Sequence, residues 1–216
     1  MKKFISSLIE SSPIDRQPFF LSLLNGTMDK EKFKETQIDF LDAVEFFSRP
    51  MFIISSKLDS YEDRGYIIEN ILDEHGNGEL GNAHGNTFRQ YLVSLGATEK
   101  QINNRKPNKA VLEYNNALIK CSTNNSTMRS IAMMGIIEER YSKISATIVR
   151  EILKKKWIQK EQLTHYSLHE ELDIEHSQGF YNIIKDNWSD ADSSDEIKKG
   201  LVLGNSMILN LYNDLL

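Results

Sequence analysis

Cysteine is almost missing from this sequence: one residue, Cys121, in 216. No internal disulfide can form, so the expected setting is a reducing compartment, the cytoplasm. Proline and glycine are scarce too, at four and eleven residues. An all-β sandwich needs a turn every ~8–12 residues, and so few turn-formers cannot supply them. No apolar run approaches the ~18 residues of a membrane span. The apolar stretch after Met1-Lys2-Lys3 is too short for a secretory segment, so no membrane is expected as a partner. Excess positive charge is lacking as well. With 26 Lys and Arg against 31 Asp and Glu, the net charge is −5, which argues against a nucleic-acid partner.

What is present is a 3.6-residue apolar period along nearly the whole chain. Phe33, Gln37, Phe40, Val44 and Phe47 fall on one helical face, with Asp29 as the expected N-cap. Pro50 should kink or end that helix. Ile67, Ile71 and Glu74 share the face of the next, stopped by His75-Gly76-Asn77-Gly78. His84, Phe88, Tyr91 and Leu95 line another, ended by Gly96. A long helix is expected through Met134, Glu138, Tyr141, Ser145 and Ile148, a second from about Gln162 to Asn187, and a last one carrying Ile197 to Leu215. No repeat, low-complexity tail or linker interrupts the pattern. The expected fold is all-α: one helical bundle over residues 1–216, of seven to nine helices.

In such a bundle the inward stripes should be apolar, so polar residues on them are informative. At ~100° per residue, His169, Asp173 and His176 fall within about 60° of one another, in line with Phe180 and Ile183. Glu170, Glu171 and Glu175 lie off that line and read as solvent-facing. Two imidazoles and a carboxylate on one face suit Fe(II), Mn(II) or Zn(II), or else form a hydrogen-bonded polar patch. The anomaly recurs at Glu74, His84 and Glu138, each on an apolar line. Glu139, by contrast, faces Lys143 as an exposed pair. Three carboxylates and three imidazoles on four helices are the ligand chemistry of two-metal bundle cores. Of the remaining polar residues, His75 points away from Glu74 and reads as exposed. His165 reads equally as a hydrogen-bonding neighbour of the site or as exposed. Glu45 and Tyr141 are within reach of a cavity, as an extra ligand and as a hydrogen-bond donor. Cys121 reads as a small buried apolar residue.

These residues resemble those of the haem-oxygenase-like diiron oxidases, a superfamily that also holds CADD-type, PqqC-like and TenA-like proteins. The strongest likeness is His169-x3-Asp173-x2-His176, similar to the family's late-helix motif. Asp73-Glu74-His75-Gly76-Asn77-Gly78 followed by His84 resembles its early segment, and Gly135-Ile136-Ile137-Glu138 its central glutamate. The likeness runs from about Phe19 to the C-terminus. It implies a haem-oxygenase-like bundle of about seven core helices. It also implies a catalytic dinuclear iron site made by Glu74, His84, Glu138, His169, Asp173 and His176. The metals implied are two Fe(II), with Mn(II) admissible in one position. O2 is the implied co-substrate, a small organic metabolite the substrate, and an external reductant and a homodimer the implied partners.

The departures narrow this. CADD-type members that consume their own side chains carry a tyrosine where Phe20 stands and a lysine where Ile148 stands, which argues against self-sacrificing production of p-aminobenzoate. The TenA-like cysteine near the late motif has no counterpart. Arg49, Arg89, Arg140 and Arg150 are not clustered as a metal-free PqqC-like oxidase of a polyanionic substrate would want. That oxidase and a CADD-type protein-interaction module are the alternative readings.

Overall fold

The computed structural model describes residues 1–163 and 165–216, with the helical backbone alone for 167–173. Among the described residues all regular structure is helical. The helices are α1 (Lys2–Ser11), α2 (Pro18–Asn25), α3 (Lys30–Val44), α4 (Ser48–Ser55), α5 (Tyr61–Glu74) and α6 (His84–Leu95). They continue as α7 (Glu99–Asn103), α8 (Lys109–Asn124), α9 (Thr127–Lys154), α10 (Tyr166–Ile184) and α11 (Ala191–Asp214). Among the described residues, no helix is long and apolar enough to cross a membrane.

The local signals act as physical chemistry requires. Asp29 accepts a hydrogen bond from the Lys32 amide at 2.8 Å and starts α3, satisfying one of the first-turn N–H groups. Ser60, Asn108, Ser126 and Asp190 cap α5, α8, α9 and α11 in the same way. Gly96 takes a left-handed φ of 100° and ends α6. The chain does not run through to Pro50 as one helix: α3 stops at Val44, and Pro50 sits in the first turn of α4. A missing N–H costs nothing there, so proline starts a helix rather than kinking one. The helix expected over 162–187 is shorter, because Lys160–Gln162 and Asp186–Ser189 tighten into separate 3₁₀ turns.

Helix α9 is the axis of the bundle, packed along much of its length by α10 and α11. Glycines set how closely it is approached. A Cβ on Gly200 or Gly204 of α11 would lie 2.2 Å from the Arg129 carbonyl oxygen or 2.4 Å from that of Met133. On α9 itself, a Cβ at Gly135 would lie 2.8 Å from the Tyr181 ring of α10. Helices α3 and α5 flank this trio, α3 against α6 and α8, and α5 against α4 and α10. Phe19, Phe20, Phe33, Phe40 and Tyr212 form one aromatic cluster between α2, α3 and α11. Cys121 is buried in the same continuous core.

Two predictions follow from this packing. Gly204→Ala pushes a methyl into backbone that cannot swing aside, and should lower stability by about 1–3 kcal/mol despite alanine's better helix propensity; urea unfolding measures it. The second concerns Glu196, which ties α11 to the start of α9. It accepts from Arg129 at 2.6 Å, from Ser126 at 2.8 Å and from Lys199 at 3.1 Å. The Arg129 hydrogen bond is the main cause that lowers its carboxyl to about 2. A depressed carboxylate stabilises the fold above its unfolded value, and that contribution is lost as pH falls toward about 2. Glu196→Gln should therefore cost under about 1 kcal/mol near neutrality, and the difference from wild type should vanish in acid melts.

Candidate metal centre

Glu74 is the last residue of α5 and His84 the first of α6. The reversal between them brings the two together. Gly76 has φ +77°, and a Cβ there would fall 2.4 Å from the Glu79 carbonyl oxygen and 2.5 Å from the Ala83 nitrogen. Only glycine fits that position. The turn delivers His84 Nδ1 to 3.0 Å from Glu74 Oε1, with both side chains below 10% exposed. Glu138 on α9 is buried, and its Oε1 accepts from Asn70 Nδ2 at 2.9 Å. Asn70 lies one turn before Glu74 on α5, so that helix presents a donor to one carboxylate and supplies the other.

Glu74, His84 and Glu138 line one cavity, whose other walls include Phe40, Val44, Phe47 and Ile137. The cavity has a volume of about 40 Å³, room for ions or a few waters. Tyr114 also lines it, and burial, helped by the nearby Glu138 charge, pushes its phenol well up. Tyr114 therefore stays protonated at any physiological pH.

His165 and Tyr141 complete the wall. His165 is buried, and its Nδ1 lies 3.2 Å from Thr87 Oγ1. The Thr87 hydroxyl donates to the His84 carbonyl oxygen at 3.1 Å, so it accepts from His165 and Nδ1 carries the proton. His165 Nε2 lies 3.3 Å from the Tyr141 hydroxyl. Phe88 packs edge-on against this imidazole at 4.8 Å between ring centres. Tyr141 lines the cavity as expected, and of the two readings of His165 the buried one holds.

His176 is buried on α10 but is not among the residues lining this cavity. Its Nε2 lies 2.9 Å from Asp73 Oδ2, while its Nδ1 is buried with no hydrogen-bond partner among the described residues. Burial pushes the Asp73 carboxyl up, but hydrogen bonds from His176 and Asn77 and the charges of His176 and His84 together hold it below the usual range. His169 and Asp173 occupy the same helix, seven and three positions before His176, and their side chains lie outside the described residues, as do Glu170 and Glu171. Among the described residues no three His, Cys, Asp or Glu side chains surround one point as a ready metal cluster.

The other polar residues settle elsewhere. His75 is exposed, with Nε2 3.3 Å from Ser48 Oγ. Glu175 is exposed as expected. Glu139 pairs with Lys143 at 3.6 Å and also accepts from Tyr181 at 3.0 Å. Glu45 does not line the cavity: Arg89 and Arg105 each approach it to 2.8 Å, and Arg105 also binds Asp42. That is why an extra-ligand role for Glu45 is not supported by its placement. His165 was expected inside a helix starting near Gln162, but α10 begins at Tyr166 and His165 precedes it; Asp73 gave no signal because it lies off the apolar stripe.

Residues 38–207 match a family model described as iron-containing redox enzyme. The chain is 20% identical over 174 residues to a 4-aminobenzoate synthase of Chlamydia muridarum, a match covering 80% of this chain and 72% of that one. Its structure is similar to that of a Shewanella denitrificans domain with a haem-oxygenase-like fold, with TM-score 0.81 and 12% identity over 99% of this chain and 89% of the other. A CADD-like protein of Nostoc punctiforme also gives TM-score 0.81, with 15% identity over 99% and 94% of the two chains. The fold is thus haem-oxygenase-like and all-α.

Thr87→Val strips the His165 Nδ1–H of its acceptor and should lower stability by about 1–3 kcal/mol, whereas Thr87→Ser should recover most of the loss. Chemical denaturation of the three proteins reads this directly.

Proposed function

The chain belongs to the iron-containing redox enzyme family, and from that premise we propose that it is an O2-using oxidoreductase acting on a small organic molecule at a dinuclear iron site. The observation that supports this most is the meeting of Glu74, His84 and Glu138, from three helices, on one buried cavity. The donor set fits iron: carboxylates and imidazoles without thiolate, plus a buried His176 Nδ1 that lacks a partner among the described residues. Glu74, His84, Glu138 and His176 would hold the metal together with His169 and Asp173, whose side chains lie outside the described residues. When bound, iron supplies the redox equivalents and the site at which O2 is activated.

The chain's own residues prepare the rest. Phe40, Val44, Phe47 and Ile137 give the cavity an apolar wall, beside which charge interactions are stronger than in water. Asn70 orients Glu138 through its amide. His165 holds a proton at Nδ1, and its Nε2 lies 3.3 Å from the Tyr141 hydroxyl. Synthesis of 4-aminobenzoate, named for the chlamydial relatives, is not the reading we favour. Phe20 and Ile148, where the resemblance places the consumed tyrosine and lysine, are fully buried apolar residues of the core.

Anaerobic titration of the metal-free chain with Fe(II) should approach about two ions per chain, and the loaded protein should consume O2. Glu138→Ala should lose at least one of these ions while remaining folded. A wild-type chain that takes up no iron under these conditions would falsify the proposal.

A further inference from the structure

Asp73 precedes Glu74 in sequence yet is not among the residues lining the cavity. Its Oδ2 lies 2.9 Å from His176 Nε2, across 103 residues of chain. An ionised carboxylate only accepts hydrogen bonds, so Nε2 must carry the proton. In the neutral imidazole that leaves the lone pair on Nδ1, the atom buried without a hydrogen-bond partner among the described residues. A buried acceptor left unmade is costly, and native interiors keep few of them.

The carboxylate is itself fixed. Asn77 donates from Nδ2 to Asp73 Oδ1. Asn77 reaches back because the chain reverses through Gly76 at φ +77° and Asn77 at φ +53°. The same reversal carries the chain on to His84. One turn of backbone therefore sets both the Glu74–His84 contact and the Asp73–His176 contact.

We propose that Asp73 is a positioning residue for a divalent, iron-like cation: by binding Nε2–H of His176 it fixes the tautomer and leaves Nδ1 as the ligating nitrogen. Resting on the proposed iron function, this adds a residue outside the six-ligand set. A carboxylate behind a ligating imidazole fixes ring orientation and raises ligand basicity, and its removal typically costs 10–100-fold in metal affinity.

The test is a double-mutant cycle on Fe(II) affinity, measured by anaerobic titration of the metal-free chain, with Asp73→Ala, His176→Ala and the pair. Asp73→Ala should weaken binding about 10–100-fold in the wild-type background and have little further effect once His176 is gone. Asp73→Glu should restore part of the loss. Asp73→Asn keeps the shape of the contact and serves as the second variant if alanine does not fold. Proton NMR of the metal-free chain gives an independent readout: a slowly exchanging imidazole N–H assigned to His176 Nε2, absent in Asp73→Ala. Equal losses from Asp73→Ala with and without His176, or wild-type affinity in the Asp73 variants, overturn the positioning role while leaving the iron site standing. A wild-type chain that binds no Fe(II) overturns the iron reading itself, and this role with it.

Discussion

Taking a carboxylate out of water costs several kcal/mol unless other groups in the interior replace the lost hydration. Helices α5 and α9 nevertheless carry Glu74 and Glu138 into the bundle, and each is met by a polar group from another helix. His84 meets Glu74, and Asn70 meets Glu138. The rest of the architecture follows from having to hold those partners in place. The glycine reversal after α5 brings His84 back, and α5 lies close enough to α9 for an amide to bridge them. These pairings restrain the side chains, so the proposed iron would have less ordering to impose.

The glycine contacts of α9 serve the same end from the opposite side. Gly200 and Gly204 let α11 rest on the α9 backbone, and Gly135 lets α10 do so. Close helix packing leaves little freedom for sliding, because interiors are packed like crystals. Glu138 lies about one turn beyond Gly135 on α9, next to the stretch these glycines clamp. Precision at the site is thus a property of the interfaces beneath it as well as of the polar residues themselves.

Much of this was legible in the sequence, for a physical reason. Glu74, His84 and Glu138 interrupt apolar stripes, and a charge on such a stripe has to be paired once the helix packs. The Asp29 cap and the stops at Gly76 and Gly96 are local chemistry and read directly. His165 was harder, because the helix expected from about Gln162 begins only at Tyr166, and the burial of His165 comes from partners on other helices. Asp73 lies off the apolar stripe, and its partner His176 is remote in sequence. Glu45 shows the same limit from the other side. Arg89 and Arg105, distant in the chain, meet on it only in three dimensions. The division at Pro50 turned on whether proline falls inside a helix or in its first turn, which the apolar pattern leaves open.

Asp73 and Glu74 are neighbours in the last turn of α5, yet each serves a histidine from a different helix. Consecutive positions on a helix are ~100° apart, so the two carboxylates work like adjacent teeth of a key. Their order has a phase. Turning α5 by a single residue about its axis would bring the wrong carboxylate toward each imidazole and swing Ile67 and Ile71 out of the core. The reversal at Gly76 and Asn77 locks that phase where α5 ends. A helix terminus, usually the first part of a helix to fray, here defines the angular origin from which two halves of the candidate site are measured.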